Sequence, residues 1–401
     1  MSDRVLVVVQ RYGDVAGGAE THARELVNRL KAHYAIEVAT TTAKDYWTWE
    51  HAFIAGIDKV DGIPVHRFPV LRPRRQPFRR YERAAFAPAH TLDAEQAFID
   101  AQGPYAPELL EHIHRHGRDF AVVLFFTYIY YPTVRGVPLV PERAVVVPTA
   151  HDEPALALAA YRPVFCAPRA LAYNTIEERD LVHRRFGNQR VPHDVVGVGI
   201  DVPADASAER FRARHGIDGP FFLYVGRIVE SKGCPELFDH WARFTATYPG
   251  RATLVLVGHP EMAIPSSPDI RHLGRLDDAE KFDAFAACTA YVHPSRLESL
   301  SLVTLEAWAM GKPTLCSARS PVLASMSRRA GAGLPYGSAA EFSELLALLL
   351  DRPEAAARLG ANGRAFVERT YTWPAVVEKY RDLFAEVIAR NAEAPSGEPR
   401  T

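Results

Sequence analysis

The chain has 401 residues, 48% of them hydrophobic and 24% charged, the proportions of a soluble globular protein rather than a disordered or low-complexity one. At about 100–200 residues per domain, this length makes two domains. Its 47 basic and 48 acidic side chains leave a net charge of -1, so no global positive field draws in nucleic acid. The opening MSDRVLVVVQ reads as a strand rather than a secretory signal, and no apolar stretch approaches the ~20 residues of a membrane span. Cys166, Cys234, Cys288 and Cys316 are far apart and lack metal-ligand spacing. They are expected to be small core residues in a reducing, cytoplasmic compartment.

Short β-branched runs alternate with helical patterns, the rhythm of βαβ units and parallel sheets. In the first half, strands are predicted at 5–9, 36–41, 63–68, 120–126, 144–149, 170–174 and 194–198. A helix over 20–33 carries Ala23, Leu26, Val27 and Leu30 at helical spacing. The polar, proline-bounded segment 202–220 marks a boundary. A second set of strands follows at 221–225, 252–257, 270–273, 290–293 and 313–316, with a helix over 235–247 opened by Pro235. Helical patterns at 339–351, 353–369 and 373–390 close the chain, and 391–401 reads as a disordered tail. Two doubly wound α/β halves, 1–201 and 202–372, are therefore expected. Ligands in such sheets bind beyond the carboxyl ends of the strands, so two such edges facing each other would make a cleft.

Five segments carry chemistry. The strongest is 294–313, where a strand ends at His293 and a helix is expected to start near Ser299–Ser301 and stop at Gly311 and Pro313. The amides of Ser299, Leu300, Ser301 and Leu302 would form a cradle for phosphate or sugar hydroxyls. Glu298 lies just before this terminus. Glu306 sits inside an otherwise apolar helix, where a carboxylate needs a reason. The second segment is the turn after strand 221–225. Gly226 lets the backbone leave sharply, and Arg227 and Lys232 can together neutralise a diphosphate. The third is the loop with Gly17, Gly18 and Glu20, which suits close approach of a ligand to the backbone. It is not GxGxxG, and strand 36–41 ends in threonines rather than an acid, so a dinucleotide dehydrogenase is disfavoured. The fourth is His151, at the carboxyl end of a first-half strand. The fifth is 72–83, with six arginines interleaved with Phe78 and Tyr81. It is either a solvated loop or a patch for an anionic acceptor or acidic lipid headgroups at the inner membrane face.

With these residues the chain resembles a family 4 retaining glycosyltransferase of the GT-B fold. The likeness rests on two glutamates separated by seven residues (Glu298 and Glu306), on Gly226-Arg227 followed by Lys232-Gly233, and on the Gly17-Gly18 loop. It implies two Rossmann-like domains facing across a cleft, the first on the acceptor side and the second holding a nucleotide sugar, with helix 373–390 crossing back to the first. It implies that Arg227 and Lys232 bind the donor diphosphate, Glu298 the sugar hydroxyls and Glu306 the ribose. Gly274, Arg275 and Leu276 would flank the base. His151 would lie near the sugar's C6 hydroxyl and the acceptor. The implied reaction moves a hexosyl unit from a UDP- or GDP-linked sugar to an acceptor hydroxyl with retention, by a front-side mechanism. No cofactor or metal is expected, since the two cations stand in for a divalent ion. The acceptor is left open. The sequence departs from the family where Ser299-Leu300-Ser301 replaces Gly-Phe-Gly, adding two hydroxyls near the donor, and at Gly258-His259-Pro260. The alternatives are another GT-B enzyme, such as a phosphorylase or a nucleotide-sugar epimerase, or a non-catalytic nucleotide- or glycan-binding module. Loss of Glu298 or Arg227 would mark the module, and both are present.

Overall fold

A computed structural model describes residues 3–15 and 17–393. The chain divides into two units, Met1–Val198 with Val376–Thr401, and Gly199–Ala375. In the first unit eight strands form one sheet: β1 (Arg4–Val8), β2 (Ala35–Thr41), β3 (Gly56–Val60), β4 (Ile63–Phe68), β5 (Val122–Phe126), β6 (Ala144–Val147), β7 (Ala170–Tyr173) and β8 (His193–Val195), in the order 3-4-2-1-5-6-7-8. All pairs are parallel except β3 with β4. The central strands β1, β5 and β6 are runs of Val, Leu and Phe because a parallel sheet is covered on both faces. The β3–β4 hairpin was absent from the sequence reading. It turns on Asp61 and Gly62, with φ of 51° and 84°, the left-handed pair that a two-residue hairpin requires.

Helix Trp373–Glu393 completes this unit from Val376 onward. Tyr380 approaches His22, Lys379 donates to the Val195 carbonyl at 2.8 Å, and Arg169 donates to Asn391 Oδ1 at 2.7 Å. Residues 391–393, assigned to the tail by the sequence, are therefore helical, because Asn391 is tied to Arg169. The rest of that expected tail, 394–401, lies outside the described residues.

Buried His22 sits edge-on to Phe126, 5.2 Å between centroids, and burial pushes its imidazole down to about 3. The unfolded chain would protonate it near 6.5, so stability is lost as pH falls from about 6.5 toward 3. At pH 5 the loss due to His22 should be about 2 kcal/mol. Melting at pH 7 and pH 5 should show a smaller acid shift for His22→Gln than for the wild type. An equal shift would assign the acid sensitivity to other groups.

In the second unit six parallel strands run β9 (Phe221–Val225), β10 (Thr253–Val257), β11 (Ile270–His272), β12 (Ala290–His293), β13 (Thr314–Ser317) and β14 (Gly333–Tyr336), in the order 11-10-9-12-13-14. Alternation along β9 separates two cores. Phe222 and Tyr224 pack with Leu237, Trp241 and Phe244, whereas Phe221 and Leu223 pack with Phe211, Phe282 and Phe285. The sheet is thus covered on both faces, as the βα rhythm predicts. β14 was not predicted. It lies at the sheet edge, where Pro335 is tolerated.

Candidate functional site

Three loops of the second unit, after β9, β10 and β12, meet: the β9 loop packs on the β10 loop at Gly258 and on the β12 loop at Pro294. Gly226 takes φ +149° and Gly258 φ +138°, and a Cβ added at Gly258 would lie 1.9 Å from the Gly226 carbonyl oxygen. The altered segment Gly258-His259-Pro260 therefore keeps the one glycine its packing requires. Gly233, at φ +77°, brings the end of the β9 loop against Pro294, since a Cβ there would lie 2.5 Å from the Pro294 carbonyl oxygen. This approach carries Lys232 to Glu298.

Lys232 Nζ donates to Glu298 Oε1 at 2.7 Å, and His293 Nε2 lies 3.1 Å from the same oxygen. Burial alone would raise the Glu298 carboxyl. The Lys232 charge and the His293 hydrogen bond reverse this and hold it well below the usual carboxylate range. His293 is fixed from its other side, with Nδ1 3.1 Å from Thr304 Oγ1 and 3.2 Å from Ser301 Oγ. A carboxylate partner on Nε2 makes that nitrogen the donor and leaves Nδ1 the acceptor of the Thr304 hydroxyl.

The helix after Glu298 starts at Leu302, one residue beyond the expected range, and Ser301 is its N-cap. Its hydroxyl accepts from the Thr304 amide at 3.2 Å and donates to Thr304 Oγ1 at 3.0 Å. Of the two hydroxyls added at Ser299 and Ser301, the second is engaged within the protein. The residue is only 9% exposed, and its oxygen turns inward to the cap and His293. Ser301 holds φ +81°, a strained value for a residue with a Cβ, and this hydrogen-bond network offsets the strain. Leu300 is buried and anchors the loop. The cap leaves the first-turn amides of Leu302 and Val303 without an intrahelical acceptor.

Glu306 has a reason to sit in its apolar helix. Lys281, from helix Asp278–Ala287, donates to Glu306 Oε1 at 2.8 Å. Oε2 is buried with no hydrogen-bond partner, a cost that a ligand hydroxyl would remove. Burial raises the Glu306 carboxyl and Lys281 only partly offsets this. Arg227 is 41% exposed at its side chain and lies 3.2 Å from Glu261 Oε1, while the Tyr224 hydroxyl donates to its carbonyl at 2.6 Å. Gly274 accepts from the Gly258 amide at 2.8 Å, Arg275 is exposed and Leu276 packs against the core. The structure thus unites Lys232 with Glu298 and places Arg227, Gly226, Ser299–Leu302, Glu306 and Gly274–Leu276 in one unit. Sequence reasoning missed His293, Lys281 and Glu261. A histidine at the last position of a strand before a Pro-Ser loop was the available signal for the first.

In the first unit Gly17 is the N-cap of helix Gly18–Leu30, with φ +155°. A Cβ on Gly17 would lie 2.0 Å from Glu20 Oε2, so this glycine is required by the loop itself. Glu20 turns back to accept from Gln10 at 2.8 Å and from Arg11 at 2.6 Å. Gly18 has open space where a Cβ would stand. His151 follows β6, with Nδ1 3.1 Å from Glu153 Oε1, which also accepts from the Tyr128 hydroxyl at 2.6 Å. Beneath it, buried Glu178 accepts from the Ala150 and Asn174 amides at 2.5 and 2.6 Å, and burial pushes its carboxyl up to about 8.

The segment 72–83 is neither a wholly solvated loop nor a uniform patch. Arg72 stacks on Tyr105 at 3.6 Å, Arg74 is buried, and Phe78 and Tyr81 pack into the core. Within helix Phe78–Ala85, Arg79, Arg80 and Arg83 are exposed. The aromatic side chains face inward because the helix must bury one stripe. No helix among the described residues is long and apolar enough to cross a membrane. The four cysteines are free thiols, three of them buried.

Two parallel-sheet α/β units with a glutamate-bearing helix terminus after the fourth strand of the second define the GT-B fold. Residues 207–366 match the family model for glycosyl transferases group 1. It is 28% identical to a GDP-mannose-dependent monoacylated alpha-(1-6)-phosphatidylinositol monomannoside mannosyltransferase of Corynebacterium glutamicum, over 46% of this chain and 54% of that one. It is 30% identical to a D-inositol 3-phosphate glycosyltransferase of Frankia alni, over 54% of this chain and 59% of that one. The chain thus spans a little over half the length of these two relatives. Its fold is similar to that of Anabaena HepE in complex with UDP, with TM-score 0.70 and 15% identity over 95% of this chain and 99% of that one.

Proposed function

We propose that the protein is a retaining glycosyltransferase that moves a hexosyl unit from a UDP- or GDP-linked sugar to an acceptor hydroxyl. The observation that carries this reading is the partly buried Lys232–Glu298–His293 cluster beside the Ser301-capped helix terminus. It offers a sugar-binding carboxylate and a diphosphate-binding cation in contact with each other. The named relatives favour the same chemistry, one being GDP-mannose-dependent and another, HepE, having been crystallised with UDP.

In this reading Glu298, kept ionised, accepts hydrogen bonds from vicinal hydroxyls of the sugar. His293 holds that carboxylate in place. Lys232 keeps one donor on Glu298 and offers the others to the diphosphate. Arg227 and the first-turn amides of Leu302 and Val303 stabilise the charge that builds on the leaving phosphate. Glu306 Oε2 accepts from the ribose. A front-side displacement, in which the departing phosphate takes the acceptor proton, accounts for retention without a carboxylate nucleophile on the far face. His151 is assigned to the acceptor.

Nucleotide release from a panel of UDP- and GDP-sugars, with and without polyol and glycan acceptors, tests the reading. Acceptor-dependent release is expected. Conversion of the nucleotide sugar with no acceptor used would favour an epimerase, and binding without turnover a non-catalytic module. Within the same assay, Glu306→Gln should raise the donor KM about tenfold and change kcat little, because a ribose contact is made equally in ground and transition states. An unchanged KM would remove Glu306 from the donor site.

A further inference from the structure

Arg74 is a charge whose surroundings do not match it. It is 7% exposed, and its Nε and Nη2 are buried without a hydrogen-bond partner. Among the described residues no carboxylate pairs with it. Aromatic rings surround it instead: Phe78 at 4.8 Å, Trp49 at 5.5 Å and Trp47 at 5.7 Å from the guanidinium carbon. Rings offset part of the desolvation cost of a cation, but they accept no hydrogen bonds. The nearby acids are already engaged or distant. Asp45 accepts from the Trp47 and Thr48 amides and the Thr48 hydroxyl, and Glu82 makes no hydrogen bond with Arg74. The Tyr46 and Tyr130 phenols also lie within electrostatic reach.

The box is held rigidly. The Arg74 amide donates to the Thr48 carbonyl at 3.0 Å, and Trp49 Nε1 donates to the Gln102 carbonyl at 2.7 Å. One wall is open, since Trp47 is 51% exposed; its ring lies tilted against Tyr46, 4.7 Å between centroids. Tyr46 in turn lies 5.6 Å from the Arg11 guanidinium, which joins the box to the glycine loop. A buried fork of N–H groups beside exposed aromatic faces is suited to an oxyanion carried on a polyol.

We propose that Arg74 is the anion-binding residue of the first unit and takes a phosphate group, with Trp47 and Tyr46 packing on the polyol that carries it. Regarding that phosphate as part of the acceptor rests on the transferase reading above, whereas the binding itself does not. The phosphate comes either from a soluble polyol phosphate or from a phosphoinositide headgroup.

The test uses the full chain and three probes: inorganic phosphate, D-inositol 3-phosphate, and phosphatidylcholine vesicles carrying phosphatidylinositol. Trp47 and Trp49 flank Arg74, so tryptophan fluorescence should report occupancy. Arg74→Gln should weaken D-inositol 3-phosphate, or the vesicles if only the lipid form binds, at least tenfold. Arg74→Lys should weaken it less, and Trp47→Ala, at an exposed site, several-fold. Near- and far-UV circular dichroism should match the wild type in all three, which shows that the first unit is folded, and UDP or GDP binding by the second unit should be unchanged. Equal affinity of wild type and Arg74→Gln overturns the proposal. So does vesicle capture lost in Arg79→Gln/Arg80→Gln but kept in Arg74→Gln, and so does absence of binding by all three probes. Arg74-dependent binding with no sugar transfer would leave this site standing and count against the transferase reading.

Discussion

Lys232→Ala is expected to lower turnover about 10²- to 10³-fold, the loss seen when one pre-placed donor is removed from a developing negative charge. Lys232 serves two groups at once. It holds Glu298 ionised in a buried setting, and in the proposed reading it also binds the diphosphate. Its removal leaves a buried carboxylate with only His293 beside it, so donor binding should weaken along with the chemistry. Arg227→Ala should cost about 10²-fold. Arg227 is more exposed and is braced by Glu261. Steady-state kinetics with the preferred nucleotide sugar decides this. Near-wild-type turnover in both variants would sink the diphosphate assignment.

Gly258→Ala should destabilise the second unit by about 3 kcal/mol, because two costs coincide. The residue has φ +138°, which an L side chain rarely adopts. The new methyl would also lie 1.9 Å from the backbone oxygen of Gly226. Backbone cannot rotate away as a flexible side chain does, so the β9 loop must move, and Arg227 moves with it. At about 2–4 °C per kcal/mol for a unit of this size, melting should fall by roughly 10 °C. Gly18→Ala is the contrast, since a Cβ there has open space and stability should hold. A Gly258→Ala protein that melts with the wild type would show that the two loops are not packed as described.

The parts of the fold legible in the sequence were those with strong periodicity. The parallel core strands are continuous apolar runs, and helix Cys234–Thr247 carries a clear buried stripe. β3 escaped because it is almost wholly exposed and shows no alternation, so only its hairpin turn marks it. β14 escaped because a proline interrupts a four-residue edge strand. At the candidate site the charged residues with motif spacing, Glu298, Glu306, Arg227 and Lys232, were legible. Their partners were not. Lys281 lies 25 positions before Glu306, and no local pattern pairs them. At 72–83 six arginines read either as a solvated loop or as a patch, and the burial of one of them was illegible. Burial of Arg74 depends on Trp47 and Trp49, which reach it only through the fold. The engagement of Ser301 was illegible too, since the sequence shows neither the acceptor nor the donor partners of a loop hydroxyl.

The most direct measurement is the fate of the sugar. The protein, a nucleotide sugar that it turns over and an acceptor are incubated together, and the purified product is examined by proton NMR for its anomeric coupling. One hexosyl unit on the acceptor with the anomeric configuration of the donor, and nucleotide released one for one, is the expected result. An inverted linkage, or an epimerised nucleotide sugar recovered beside untouched acceptor, would contradict it.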